Sequence, residues 1–179
     1  MVCDFDPTYH EWDGKKFIVK RSSHTLKTGF TNTLYDYKTL EFDFKIMNFT
    51  NYPYLFSNLS RKTRMLLQNS SALRYTRNND GKLFEYGDYI FNLQKRYIVT
   101  VTLLDDTVIF YINGKKIITD KQKGTVEDGI TYIFCDQYNS DLTARQLIGC
   151  YHSFKAYNRA LTEKEVQQNY IYEQSIERS

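Results

Sequence analysis

The sequence predicts an all-β chain, built as two antiparallel sheets with one short helix at the carboxyl end, and three observations predict it. Aromatic residues make up 16% of the 179, with 16 Tyr and 12 Phe, and large rings fit the half-buried surface of a strand. Apolar and polar residues alternate with period two along Leu40 to Ile46 and again along Tyr97 to Leu103. That spacing sends successive side chains to opposite faces of a sheet. Asn113-Gly114 separates two apolar-alternating runs, and this pair is preferred in two-residue hairpin turns, which need positive φ at both positions.

Residues 1–38 carry no motif that can be placed. From Thr39, Leu40, Phe42, Phe44 and Ile46 alternate with Glu41, Asp43 and Lys45, so this strand is expected to bury the first set and leave the second wet. Shorter strands are expected at 54–56, 64–68, 72–76 and 82–86, separated by Asn, Ser and Gly. Asn78-Asn79-Asp80-Gly81 is a turn, because these residues tolerate the left-handed backbone region. Tyr97 to Thr119 forms a three-strand meander, broken first at Asp105-Asp106 and then at Asn113-Gly114. A strand at 131–135 leads into the polar loop Asp136-Gln137-Tyr138-Asn139-Ser140-Asp141, and a last strand runs from Cys150 to Tyr157 after Gly149. Thr162 and Glu165 form a capping box, with Leu161 and Val166 as its hydrophobic staple. Val166 and Tyr170 then share one face of the helix. With no linker or internal repeat, residues 1–172 are expected to form a single domain and 173–179 a polar tail.

Composition excludes several classes. With 24 basic against 21 acidic residues the net charge is only +3, spread without runs, so there is no basic footprint for nucleic acid. No stretch approaches the ~20 apolar residues of a membrane span. The start, Met1-Val2-Cys3-Asp4-Phe5-Asp6, has neither the basic region nor the apolar core of a secretory leader. Cys3, Cys135 and Cys150 form no CxxC and are expected to be small buried residues, a Cys135–Cys150 bridge arising only in an oxidising setting. His10, His24 and His152 share no metal-ligand spacing.

The run RYIVTVTLLDDTVIFYINGKKI resembles the "W-x-x-V-A-V-T … V-x-x-Y-V-N-G" core of concanavalin A-like lectin/glucanase domains, the group that holds laminin G-like and pentraxin modules. IGCYHSFKAYNRALTEKEVQQNY resembles the "G-x-I-x-x-V-R-I-Y-N-R-A-L-T-x-x-E-I" ending of that group, while TLEFDFKI and YLFSN are similar to its opening strands. The resemblance covers residues 97–172 well, 39–96 more weakly and 1–38 poorly. It implies a two-sheet antiparallel jelly-roll sandwich, the architecture that many short strands also suggest. The matched motifs make turns and caps; the calcium and sugar ligands of the group lie in loops that do not align here.

Glucanases in this group carry Glu-x-Asp-x-(x)-Glu on one strand. Here Glu41-Phe42-Asp43-Phe44 is followed by Lys45 and Ile46, so the second Glu is missing and no catalytic residue is assigned. The loop residues Asp136, Gln137, Tyr138, Asn139 and Asp141, with Asn78, Asn79 and Asp80 of the turn, are the candidate sites for a carbohydrate or partner. Asp136, Asn139 and Asp141 would supply oxygen ligands if calcium binds, and no other cofactor is expected. Trp12 and His152 are expected to pack rather than bind. The resulting expectation is a non-catalytic binding or structural protein, foremost a bacteriophage virion component that contacts virion proteins or glycans, assembled in the host cytoplasm and able to oligomerise. The alternative is a calcium-dependent lectin-like module at the cell surface, and a glucanase is a distant third.

Overall fold

The structure, a computed structural model, describes residues 10–12, 17–19, 37–48, 53–58, 64–68, 72–76, 84–86, 89–121, 130–133 and 147–176. The chain folds as an all-β sandwich of two antiparallel sheets with one carboxyl-terminal helix. Its strands are β1 (His10–Trp12), β2 (Phe17–Val19), β3 (Thr39–Asn48), β4 (Tyr54–Asn58), β5 (Arg64–Gln68), β6 (Ala72–Thr76), β7 (Phe84–Tyr86), β8 (Arg96–Leu104), β9 (Thr107–Ile112), β10 (Lys115–Lys121), β11 (Ile130–Ile133) and β12 (Ile148–Tyr157), followed by helix α1 (Glu163–Ile176). One sheet has the order β1-β2-β12-β3-β8-β9-β10 and the other β11-β4-β5-β6-β7. The expected strands at 64–68 and 72–76 are found with those bounds. The short pair β1–β2, with Trp12 opposite Phe17, had no readable pattern in the sequence.

The chain divides into two compact units, the first comprising Met1–Tyr35, Lys45–Lys95 and Gly124–His152, the second Asp36–Phe44, Arg96–Lys123 and Ser153–Ser179. In the first unit, β5 and β6 pair through Met65↔Tyr75 and Leu67↔Leu73. These four side chains share one face and are buried, and Phe56 joins them with its ring 6.2 Å from that of Tyr75. β12 enters beside β3 at Gly149, where a side chain could not fit: a Cβ there would lie 2.0 Å from the Lys45 carbonyl oxygen. Cys150 is buried with its Sγ 3.7 Å from the Met47 sulfur, and Cys135, its expected bridge partner in an oxidising setting, lies outside the described residues.

In the second unit the expected meander forms as β8, β9 and β10. Asp105 and Asn113 take φ of 52° and 53° and Gly114 takes 73°, so Asn113-Gly114 makes the turn with both positions at positive φ. Asn113 also ties the turn to β8: its Oδ1 accepts from the Ile98 N–H at 2.9 Å. Leu40, Phe42 and Phe44 are buried, and Phe42 stacks on Phe154 with ring centroids 5.1 Å apart.

Two expectations fail in this unit. Glu41 and Asp43 are not wet; both are fully buried, because α1 supplies groups that cover their face. The segment from 173 is not a tail, since α1 runs to Ile176 and Glu173 is buried. Counting apolar residues ended the helix early because the later part of its docking face is polar.

Candidate functional site

The richest cluster of charged side chains among the described residues lies under α1. The opposite face of β3 from its phenylalanines presents Thr39, Glu41 and Asp43, and β8 brings Arg96, Ile98, Thr100 and Thr102 beside them by the same alternation. From β12 come Lys155 and Tyr157, one residue out of phase with Phe154 and so on that same side.

The helix is held there by its start and by its stripe. The Thr162 hydroxyl accepts from the Glu165 N–H at 3.3 Å and the Glu165 carboxylate accepts from the Thr162 N–H at 2.8 Å, the capping box that the sequence predicts. Arg159 adds a fork to the same carboxylate at 3.0 and 2.7 Å. The Arg159 bonds and those from Thr162 hold the Glu165 carboxyl at about 2, well below its ordinary 4.5. Thr39 fixes the chain entering the helix, its Oγ1 donating to the Arg159 carbonyl and accepting from the Leu161 N–H, each at 2.9 Å. Leu161, Val166 and Tyr111 then pack together, with Ile109 and Tyr157 at their margin. Tyr170 lies over the Gly114 turn.

Beyond Val166, positions Asn169 and Glu173 continue the stripe at i+3 and i+7 and meet the strand charges. Arg96 grips Asp43 with both arms of its guanidinium, Nε to Oδ1 at 2.8 Å and Nη2 to Oδ2 at 2.5 Å, and also donates to the Glu173 carbonyl at 3.3 Å. Lys155 bridges two carboxylates, Glu41 at 3.1 Å and Glu173 more closely. Asn169 donates to Glu41 at 3.3 Å and to the Tyr157 hydroxyl at 3.0 Å. Burial pushes the Lys155 ammonium down, but Glu173 and Glu41 outweigh it and raise it overall, so Lys155 is charged at neutral pH. Burial and the nearby Glu41 charge raise the Tyr157 phenol.

This arrangement closes the chemistry that Glu41 and Asp43 would otherwise offer. Each carboxylate is taken by a cation and neither reaches solvent. Nor do these acids form a cation cage: among the described residues no group of three His, Cys, Asp or Glu has the geometry to hold a metal. Arg96, Lys155, Asn169 and Glu173 were not singled out from the sequence. The available signal was the central place of a strand with polar residues on one face, which needs a polar cover.

The loop residues Asp136, Gln137, Tyr138, Asn139 and Asp141 and the turn residues Asn78, Asn79 and Asp80 lie outside the described residues, as does the proposed calcium set Asp136, Asn139 and Asp141. His152 is half-buried on β12, on the side of Phe154, in keeping with a packing role. Trp12 is on β1.

No family model matches the chain, and no curated protein matches its sequence. Solved structures do match in shape. A heptameric SAP-like pentraxin from Limulus polyphemus superposes with a TM-score of 0.52 at 19% identity, over 74% of this chain and 68% of its own. The fold is a jelly-roll β-sandwich. The botulinum neurotoxin serotype D binding domain superposes with a TM-score of 0.65 at 16% identity, over 91% of this chain and 45% of that one. A Trypanosoma rangeli sialidase in complex with sialic acid gives a TM-score of 0.65 at 12% identity, over 93% of this chain but only 29% of the sialidase. This jelly roll therefore spans less than a third of the sialidase chain and under half of the toxin domain. At such identities the likeness is one of fold.

Proposed function

We propose that this chain is a non-catalytic binding module that works through its surface, with a glycan as its ligand. The observation that carries this reading is the sealing of Glu41 and Asp43: the one strand whose carboxylates have glucanase-like spacing is covered by α1 and neutralised by Arg96 and Lys155. A jelly roll with that face closed has its loops and its other sheet for contact. The fold likeness to a toxin binding domain supports a ligand-binding use of the same architecture. The loops 136–141 and 78–81 are the proposed contact segments, with calcium as an optional bridge at Asp136, Asn139 and Asp141. Placement on a bacteriophage particle belongs to the same proposal and differs from the lectin reading in its partner alone.

A glycan array, run with calcium and with chelator beside a particle-association pull-down, tests the reading. Glycan binding by the purified protein supports it, and chelation tells whether calcium takes part. Association with a particle protein that survives chelation favours the virion placement. In a reducing-sugar assay on β-1,3 and β-1,4 glucans neither the native protein nor Glu41→Gln should release product. Hydrolysis that disappears in Glu41→Gln would refute the non-catalytic reading.

A further inference from the structure

Glu41 holds two different functional groups of the chain at once. Its Oε1 accepts from the Lys155 ammonium at 3.1 Å and its Oε2 from the Asn169 carboxamide at 3.3 Å. One carboxylate therefore touches a primary amine on β12 and an amide on α1, one on each oxygen. Glu41 has no exposed side-chain surface, while Lys155 retains 32%. The Asn169 amide nitrogen is held a second time, by the Tyr157 hydroxyl at 3.0 Å, and Lys155 and Tyr157 share a side of their strand. Glu173 closes on the Lys155 ammonium from the helix. The seal that keeps Glu41 from an outside substrate thus turns it toward two partners of its own chain.

These are the parts of an amide exchange. The nucleophile is the Lys155 amine, the electrophile the Asn169 carbonyl carbon, and the leaving group ammonia. A carboxylate between them can take a proton from the first and give it to the second. Strand and helix hold both reactants against one buried group, which replaces the encounter of two free molecules.

We propose that Lys155 and Asn169 join through an isopeptide bond, with Glu41 as the acid and base. Glu41 first takes a proton from the Lys155 ammonium. That step exchanges an ion pair for two neutral groups, and it is less costly where the carboxylate is cut off from water. The Nζ–Cγ bond forms as Glu41 donates that proton to Asn169 Oδ1. Glu41 then carries a second Nζ proton to Nδ2, the Cγ–Nδ2 bond breaks, and ammonia leaves. The Oδ1 proton returns to Glu41, which ends neutral and donates to the new amide carbonyl, so its charge is not stranded beneath α1. Glu173 keeps Arg96 beside it at 3.9 Å. No oxidant or co-reactant is needed, and the bond closes residues 155–169 into a ring that fixes α1 to β12.

Intact-mass spectrometry of the full chain, before and after incubation at neutral pH, tests this. The native protein should be lighter than its sequence by one ammonia, about 17 Da. In a tryptic digest the bond should block cleavage after Lys155 and join residues 146–159 to residues 165–178. Glu41→Gln, Lys155→Met and Asn169→Leu should each keep the full mass and show the two peptides unlinked. Where a variant does not fold, the native mass and digest decide by themselves. A native chain that holds its full mass after incubation, an ammonia loss that maps to Asn113, or a bond from Lys155 to Glu173 with loss of water would overturn the proposal.

Discussion

Replacing Arg96 by Met tests the cover over β3 most directly. Asp43 has no exposed side-chain surface and Arg96 only 11%, so the pair is shielded from bulk water and its loss is not softened by solvent. Met keeps the length of the side chain and removes the fork. Asp43 is then a buried carboxylate without its counter-charge, and Glu173 loses the donor on its carbonyl. Removing one partner of a buried pair costs about 3–5 kcal/mol. In a chain of this size each kcal/mol lowers the midpoint by about 2–4 °C, so the variant should melt on the order of 10 °C lower. Urea unfolding followed by circular dichroism would read the loss as a lower midpoint at constant slope. The double variant Arg96→Met with Asp43→Leu should recover most of it, because two apolar groups of similar volume leave no stranded charge. A single-variant cost below about 1 kcal/mol, or a double variant as unstable as the two singles added, would refute the argument that the charges are held as a sealed pair.

The two turn and strand glycines should separate by mechanism. Gly149→Ala places a carbon against the Lys45 carbonyl and should cost at least about 3 kcal/mol or prevent folding, whereas Gly114→Ala, at φ +73° and 3.0 Å from the Tyr170 Cβ, should cost about 1–2 kcal/mol; equal denaturation midpoints would contradict the ranking. The helix start should be acid-sensitive: Glu165 is held at about 2 against an ordinary 4.5, so its cap is fully formed above pH 4.5 and is lost as the pH falls toward 2. Protection factors of the Thr162 to Val166 amides, the intrinsic exchange rate at each pH divided by the observed one, should fall through that window in the native protein and stay flat in Glu165→Gln. A native profile without that fall would show the cap to be unimportant.

The strands from Thr39 onward were legible because each obeys one local rule. Phe42 and Phe44 alternate with acids, Val99 and Val101 with threonines, and Asn113-Gly114 can hardly be anything but a hairpin turn. β1 and β2 were not legible, since three-residue strands are too short for a period to show. The fate of Glu41 and Asp43 was hidden for a different reason. Alternation tells which side chains share a face, but not what lies on that face. A sheet with one apolar and one polar side reads as half-wet whether the polar side meets water or meets a helix with matching charges.

That distinction turns on residues far apart in the chain. The partner of Asp43 is Arg96 and that of Glu41 is Lys155, each reached only after the strands have been ordered β12-β3-β8. The helix that completes the set does so with Asn169 and Glu173, residues that lower its apolar character and so make it look as though it ends early. The same reasoning applies to Arg64 and Ser57, which are unremarkable in sequence and become neighbours only through the β4–β5 register. In both places polar side chains are buried, yet they differ in one physical respect. Under α1 every carboxylate has a cation from the chain itself, and the cluster is complete. On the five-stranded sheet the Arg64 Nε and the Ser57 Oγ are buried with no hydrogen-bond partner among the described residues, so their desolvation is left uncompensated.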